Sequence, residues 1–407
     1  MKANIGGNVN HIEECVNIGF FEQNEANSYK ALIKNLVRKL YVAVLMLGKN
    51  KRNPVVPSNP KSVIACSGGN LGGTILSLPL LAQIKFRFPK SKLVVVCNTS
   101  IGAECVKYSG VADSIYVIDA LNKDAIKSTL ATLKSYKAGL LITNFDCHIE
   151  KYLVSLRIPI RVGHVANLHG DDIVWNTSNI PIKVEKGMNW LKAHEKIAKA
   201  LGGGTLNSPL IKPTEDSVRS GNEILKSSGW DGKSLCIALQ AGVWGGHSFK
   251  QWPTEKLGRV AQRLWTEYHI QPVFIGNEKD KAGVDEMRKN FPGLPLIDVT
   301  GRTDYSKLIG VVSSCAATIT NDSGLMHVSA SLNKITVAIY GMTDPKKTWC
   351  YDNDSIYKIV RRSDCRPCLG EEGFPEKCKH RKCLVGIKED QVYEAITSLL
   401  LTNGIIS

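Results

Sequence analysis

From residue 61 onward the chain alternates short apolar runs with longer segments whose apolar residues recur every three or four positions. Runs 62–66, 93–97, 115–119 and 139–144 have strand length, and 67–73 is a glycine-rich turn leading into a helix that ends near 88. Segments 101–108 and 121–136 read as further helices. Apolar runs without polar alternation suit parallel strands covered on both faces, and the helices between them make βαβ crossovers. The pattern predicts an α/β unit over 61–215. It restarts at 235–239, with strands at 272–275, 296–299, 316–320 and 336–340 and helices at 254–268, 280–290, 305–313, 325–332 and 389–401. That is a second doubly wound unit, 216–407. Two such units in tandem imply a cleft, with ligands at the carboxyl ends of the strands.

Residues 1–60 stand outside this alternation. Met1–Asn27 is polar and predicts no secretory leader, and no run reaches the ~18–20 apolar residues of a membrane span. Segment 31–47 sets Leu32, Ile33, Leu36, Val37, Leu40 and Tyr41 at helical spacing among Lys34, Arg38 and Lys39. Two readings fit it: a helix lying on an acidic membrane surface, or one packed on the protein itself. Residues 53–60, with three prolines, read as a linker. The expected location is cytoplasmic, peripheral on the inner face of the inner membrane where that helix acts as an anchor. The 52 Lys+Arg against 37 Asp+Glu give +15, which favours an anionic partner over a neutral one. No stacking-aromatic or groove-reading pattern accompanies the charge, so nucleic acid is an unlikely ligand.

The chemistry concentrates at four turns. Cys66-Ser-Gly-Gly-Asn-Leu-Gly-Gly73 follows a strand and precedes a helix, without the spacing of a dinucleotide or hydrolase phosphate loop. Gln240–Pro253 leaves a strand in small residues, presents Lys250, and enters a helix at Pro253. Gly276–Asp280 puts the Asp280 carboxylate at a strand end. Residues 316–345 read as strand, Asn321-Asp-Ser-Gly324 turn, helix, strand and turn, so backbone N–H groups and a helix dipole face whatever lies above the sheet. Of twelve cysteines, eight are scattered and read as buried thiols. Cys365, Cys368, Cys378 and Cys383 form two close pairs that suit a structural zinc or iron site; reduced thiols are the competing reading.

Together these motifs resemble the bacterial heptosyltransferases of lipopolysaccharide core synthesis, the glycosyltransferase family that uses ADP-heptose. Thr320-Asn-Asp-Ser-Gly-Leu-Met-His327 and Gly341-Met-Thr-Asp-Pro345 match that family's signature in order. So do Lys250-Gln-Trp-Pro253, Pro79-Leu80-Leu81 and Phe88-Pro89, and the likeness covers about 61–390. It implies a GT-B fold, two Rossmann-like domains facing a central cleft, with the donor in the C-terminal one. By position, Asp322, Ser323, Gly324 and His327 would cradle the donor, Lys250 would offset charge on departing ADP, and Asp280 would face the ribose. The reaction would invert the anomeric centre without a catalytic metal or other cofactor, using a lipopolysaccharide core or related glycan as acceptor.

One departure matters. The resemblance places the aspartate base for the acceptor hydroxyl six residues before Pro79, and here Gly73 stands there after Gly72. Asp146, in Asn144-Phe-Asp-Cys147, is the candidate substitute; its competing role is to cap a helix. The missing base keeps two other readings open: a transferase with a different nucleotide sugar or acceptor, and a non-catalytic donor-binding protein.

Overall fold

The computed structural model describes residues 54–118, 122–147, 149–165, 178–185, 187–240, 242, 248–362, 364, 367–368 and 380–407. The basic segment 31–47, and Cys365 and Cys378 of the cysteine cluster, lie outside them. The first sheet holds β1 (Ser62–Cys66), β2 (Lys92–Cys97), β3 (Ser114–Val117), β4 (Leu140–Thr143), β5 (Ile160–His164) and β6 (Ile180–Ile182) in the order β3-β2-β1-β4-β5-β6, with every pairing parallel. The second holds β7 (Cys236–Gln240), β8 (Gln271–Ile275), β9 (Ile297–Asp298), β10 (Ala317–Asn321), β11 (Ile335–Ile339) and β12 (Tyr357–Val360). Its order, β12-β11-β10-β7-β8-β9, repeats the first topology strand for strand. In each sheet the order reverses between the first and fourth strands, β1/β4 and β7/β10. A crevice opens at such a reversal because the crossover helices on its two sides leave on opposite faces.

Central strands β1, β4, β7, β10 and β11 are buried at every position, as their continuous apolar sequence requires. The crossover helices named below are α1 (Leu71–Arg87), α2 (Ser100–Ser109), α3 (Lys123–Ser135), α4 (Trp190–Ala200), α5 (Glu215–Ser227), α6 (Thr254–Tyr268), α7 (Lys281–Asn290), α8 (Tyr305–Ser314), α9 (Gly324–Ser331) and α10 (Glu389–Thr402). Among these strands and helices five escape the sequence pattern: β5, β6, β12, α4 and α5. β5 carries Arg161 and His164 inside an apolar run, and β6 is a three-residue edge with Pro181 at its centre, so neither shows a clean period. The final helix α10 packs on the second sheet through Val392, Ile396 and Leu399, which share a core with β10, β11 and α6. Among the described residues no helix is long and apolar enough to cross a membrane.

The two units meet along the cleft. A core cluster runs from Leu71, Ile75 and Leu78 of α1 to Leu325 and Val328 of α9, so the first helix of one unit packs on the signature helix of the other. At the back, Tyr108 of α2 stands edge-on to Tyr305 of α8 at 5.7 Å, and the Tyr305 N–H donates to Glu104 Oε2 at 2.9 Å. At the front, Asn189 Nδ2 donates to the carbonyls of Lys346 and Trp349 at 3.0 and 2.9 Å. Six of the scattered cysteines, Cys66, Cys97, Cys105, Cys147, Cys236 and Cys315, are buried thiols; Cys350 is half-buried.

Candidate active site

The second sheet's switch point is organised by one amide. Gln240, the last residue of β7, is buried, and its Oε1 accepts from Thr320 Oγ at 2.7 Å, the Asn321 N–H at 3.0 Å and Ser323 Oγ at 2.9 Å. Those donors lie on the end of β10 and on the N-cap of α9, so the side chain of one central strand sets the turn leaving the other. Ser323 Oγ also accepts from the Leu325 N–H at 3.3 Å, capping α9. Gln240→Leu is expected to leave these buried donors without an acceptor, at about 1–3 kcal/mol. Thermal unfolding checks it; a midpoint equal to wild type would remove Gln240 from this role.

Asn321 links this turn to the Lys-Gln-Trp-Pro element. Its Oδ1 accepts from the Trp252 N–H at 2.9 Å, while the buried Trp252 ring packs in the core of the second sheet. That anchorage places Lys250, at the end of the 3₁₀ turn Ser248–Lys250, with Nζ 2.7 Å from Asp322 Oδ2. Burial works to raise the Asp322 carboxyl, but the ammonium's charge and hydrogen bond hold it below the usual carboxylate range. Asp322 is therefore an anion facing a cation at the N-terminus of an eight-residue helix.

His327, one turn into α9, is buried. Burial lowers its pKa to about 4, only partly opposed by Asp322, so the imidazole is neutral near pH 7. Its Nδ1 is buried without a hydrogen-bond partner. The ring reaches across the cleft: a Cβ added at Gly72 would lie 2.9 Å from His327 Cδ2. Gly324 likewise faces Leu71, so the turn after β10 and the turn after β1 touch. Asp280 stands at the carboxyl ends of the second sheet's strands. Its Oδ2 accepts from the Asn277 N–H at 2.8 Å in a capping box, and the carboxylate fills the space over Gly242 and Gly276 at the ends of β7 and β8. Its pKa is raised by burial.

Across the cleft, the first switch point is equally built. Asn144 Nδ2 donates to the carbonyls of Cys66 and Ser67, both at 3.4 Å, and its Oδ1 accepts from the Asp146 N–H at 2.9 Å. Asp146 Oδ2 accepts from the Gly69 N–H at 2.5 Å, and a Cβ built on Gly73 would collide with that oxygen. The short helix after it, Glu150–Leu153, has Ile149 at its N-cap and no side-chain cap bond. Phe145, His164 and His194 cluster with near-parallel rings, the Phe145 centroid 5.2 and 5.5 Å from the two imidazoles and these 6.1 Å from each other, and Phe145 meets Trp190 edge-on at 4.9 Å. His164 Nδ1 accepts from the Phe145 N–H at 3.1 Å, which leaves its Nε2–H to donate to the Ala193 carbonyl at 2.8 Å. His194 donates from Nδ1 to the Leu76 carbonyl at 3.1 Å; its Nε2 and Trp190 Nε1 are buried without partners. Gln240, Trp190 and His194 are the site residues sequence reasoning missed. Helical spacing from Trp190 to Ala200 offered the only signal for the last two.

The metal site expected over Cys365, Cys368, Cys378 and Cys383 has no counterpart among the described residues, where no three metal-ligating side chains gather. Cys383 is buried in the core of the second sheet and Cys368 packs against that core.

Two doubly wound domains with switch points opposed across one cleft form the GT-B arrangement. Relatives agree with it. The family model for glycosyltransferase family 9 (heptosyltransferase) matches residues 155–379. The structure of E. coli ADP-heptose lps heptosyltransferase II superposes with a TM-score of 0.68 at 18% identity, covering 84% of this chain and 99% of that one. A glycosyl transferase family 9 structure from Veillonella parvula gives 0.71 at 20% identity, covering 86% and 99%. Lipooligosaccharide heptosyltransferase 2 of Haemophilus influenzae is 32% identical over 154 residues, 37% of this chain and 43% of its own length. The match therefore spans less than half of that relative. The chain belongs to glycosyltransferase family 9, the heptosyltransferase family.

Proposed function

We propose that the protein transfers heptose from ADP-heptose to a hydroxyl of a lipopolysaccharide core or related glycan, inverting the anomeric carbon. The observation that carries this reading is the Lys250–Asp322 pair at the N-terminus of α9, set at the second switch point and facing the turn of the first. The positive dipole at the N-terminus of α9 suits the donor's diphosphate. Lys250 Nζ supplies a fixed cation where negative charge grows as the bond to ADP breaks, and Asp322 keeps it there. Neutral His327, with its Nδ1 unpartnered, offers a hydrogen bond to the sugar or diphosphate without adding charge. Asp280, over the ends of β7 and β8, suits the ribose hydroxyls. The +15 balance fits a diphosphate donor and an anionic acceptor.

One observation favours a second reading: Gly73 supplies no carboxylate where the resemblance puts the base, as a donor-binding protein without turnover would not need one. Calorimetry with ADP-heptose and product analysis with a truncated core acceptor separate the two. Transfer predicts saturable binding and a glycosylated product. Binding without product would support the donor-binding protein, and no heat at millimolar ADP-heptose would sink both.

A further inference from the structure

We propose that Asp146, arriving from the end of β4, is the general base of the acceptor reaction and occupies the place that Gly73 leaves open. The inference rests on the transfer reading above, but its warrant is local. Glycosyl transfer to a hydroxyl needs a proton acceptor beside that hydroxyl, and a neutral turn of backbone and glycine provides none. Among the described residues, the carboxylate that lies against the Gly72-Gly73 step of the first domain's switch point is that of Asp146.

Two of its hydrogen bonds hold its position. Asn144, fixed on the carbonyls of Cys66 and Ser67 at the end of β1, takes the Asp146 N–H on Oδ1 at 2.9 Å. The Gly69 N–H donates to Asp146 Oδ2 at 2.5 Å, tying the carboxylate to a turn 77 residues earlier. Gly73 then matters by what it lacks, because any side chain there would begin inside the Asp146 carboxylate. The glycine and the aspartate fill one volume between them.

The surroundings suit a sugar. Trp190 brings Cζ3 to 3.3 Å from the Cβ that Gly73 does not have, giving an apolar ring edge beside the carboxylate. Trp190 Nε1 and His194 Nε2, one a donor and the other a bare acceptor, are both buried without partners. His327 of the donor domain stands over neighbouring Gly72. A hydroxyl bound at this step lies between the base of one domain and the donor grip of the other.

In the reaction the acceptor O–H proton passes to an Asp146 oxygen, and the oxygen's electron pair forms the bond to the donor's anomeric carbon. The carbon–oxygen bond to the diphosphate breaks, with its pair staying on ADP. Asp146 later releases the proton to water.

Transfer by the full chain from ADP-heptose to a truncated core acceptor tests the assignment. Asp146→Asn is expected to lower kcat by about 10²–10⁴-fold, with the ADP-heptose Kd from calorimetry within about twofold of wild type. Asp146→Gly is expected to lose activity similarly, and to regain at least about tenfold when Gly73→Asp is added or when sodium formate supplies a carboxylate. Asp146→Asn with kcat within about threefold of wild type overturns the proposal. So does loss of donor binding in that variant, which marks a purely structural carboxylate, and so does an Asp146→Gly protein that neither Gly73→Asp nor formate revives. A wild-type chain that binds ADP-heptose without forming product refutes the transfer reading itself. Product formation that survives Asp146→Asn refutes only the base.

Discussion

Asp322→Ala is expected to remove measurable ADP-heptose binding and to cost about 3 kcal/mol of stability, the low end of the range for breaking a buried ion pair. The low end applies because the Lys250 side chain is 20% exposed and water reaches it, whereas Asp322 is 7% exposed. The loss has two parts. An ammonium is left in a partly buried site without its counter-charge, and the entry to α9 loses the anion that fixed the cation's position. Lys250→Met leaves the opposite orphan, a buried carboxylate whose pKa then rises because burial has lost its principal opponent. Pairing Lys250→Met with Asp322→Ala removes both charges, so the double variant should be more stable than the sum of the single losses indicates. Transfer should fare differently. Lys250→Met should lower kcat by about 10²–10³-fold whatever its stability, the scale for deleting one preorganised electrostatic donor, and adding Asp322→Ala should not restore it. Chemical unfolding of the four proteins and single-turnover transfer measure the two effects separately. A midpoint for Asp322→Ala equal to wild type would show that the pair carries no folding energy. Full turnover in Lys250→Met would end the leaving-group role.

The half of this site proposed to take the donor was legible as a cluster because its residues lie in contiguous words. Asn321, Asp322, Ser323, Gly324 and His327 sit within one strand-turn-helix, and the same local rules that make a capped helix also place an anion site at its start. Lys250 is 72 residues from Asp322, yet its own strand-turn-helix pattern put it above the same sheet. What sequence could not supply was the acceptor half. Asp146 and Gly73 become one feature only when β1 and β4 pair as neighbours, and that pairing comes from sheet order. Gln240 was invisible for a related reason. It ends a strand like many polar residues, and its importance is that three donors from another strand and the turn after it converge on one oxygen. The missed strands follow the same physics. Arg161 and His164 are buried in β5, the first bonded to the Ile158 carbonyl and the second to Phe145 and Ala193, and two such polar residues erase the hydrophobic period that marks a strand. Trp190 and His194 lie on a helix that was not read at all.

Acid is expected to unfold the protein well above the range in which carboxylates titrate, because three histidines are buried in their neutral form. Burial is the main cause in each: it lowers His164 to about 3 and His194 and His327 to about 4. The hydrogen bonds of His164 and His194 agree, since each ring spends its one N–H on a backbone carbonyl and has no acceptor for a second. In the unfolded chain the same rings titrate near 6.5. The sign follows from proton counting. Between roughly pH 6.5 and 4 the unfolded state binds more protons than the folded one, so stability is full above that window and falls as pH drops through it. At pH 5 each ring gives up about 2 kcal/mol, or about 6 kcal/mol together, against a typical total of 5–15 kcal/mol. Asp322 acts in a separate window, because its lowered carboxyl contributes fully above about pH 4 and is lost only in stronger acid. Unfolding free energy measured between pH 7.5 and 4.5 should fall with a slope approaching three protons. His194→Gln, which removes one titrating ring from the stack on Phe145, should make that slope shallower even as it lowers stability at pH 7.5. A midpoint flat from pH 7 to 5 would mean that the rings take up protons in the folded state, and the neutral, unpartnered His327 on which the proposed donor recognition rests would go with it.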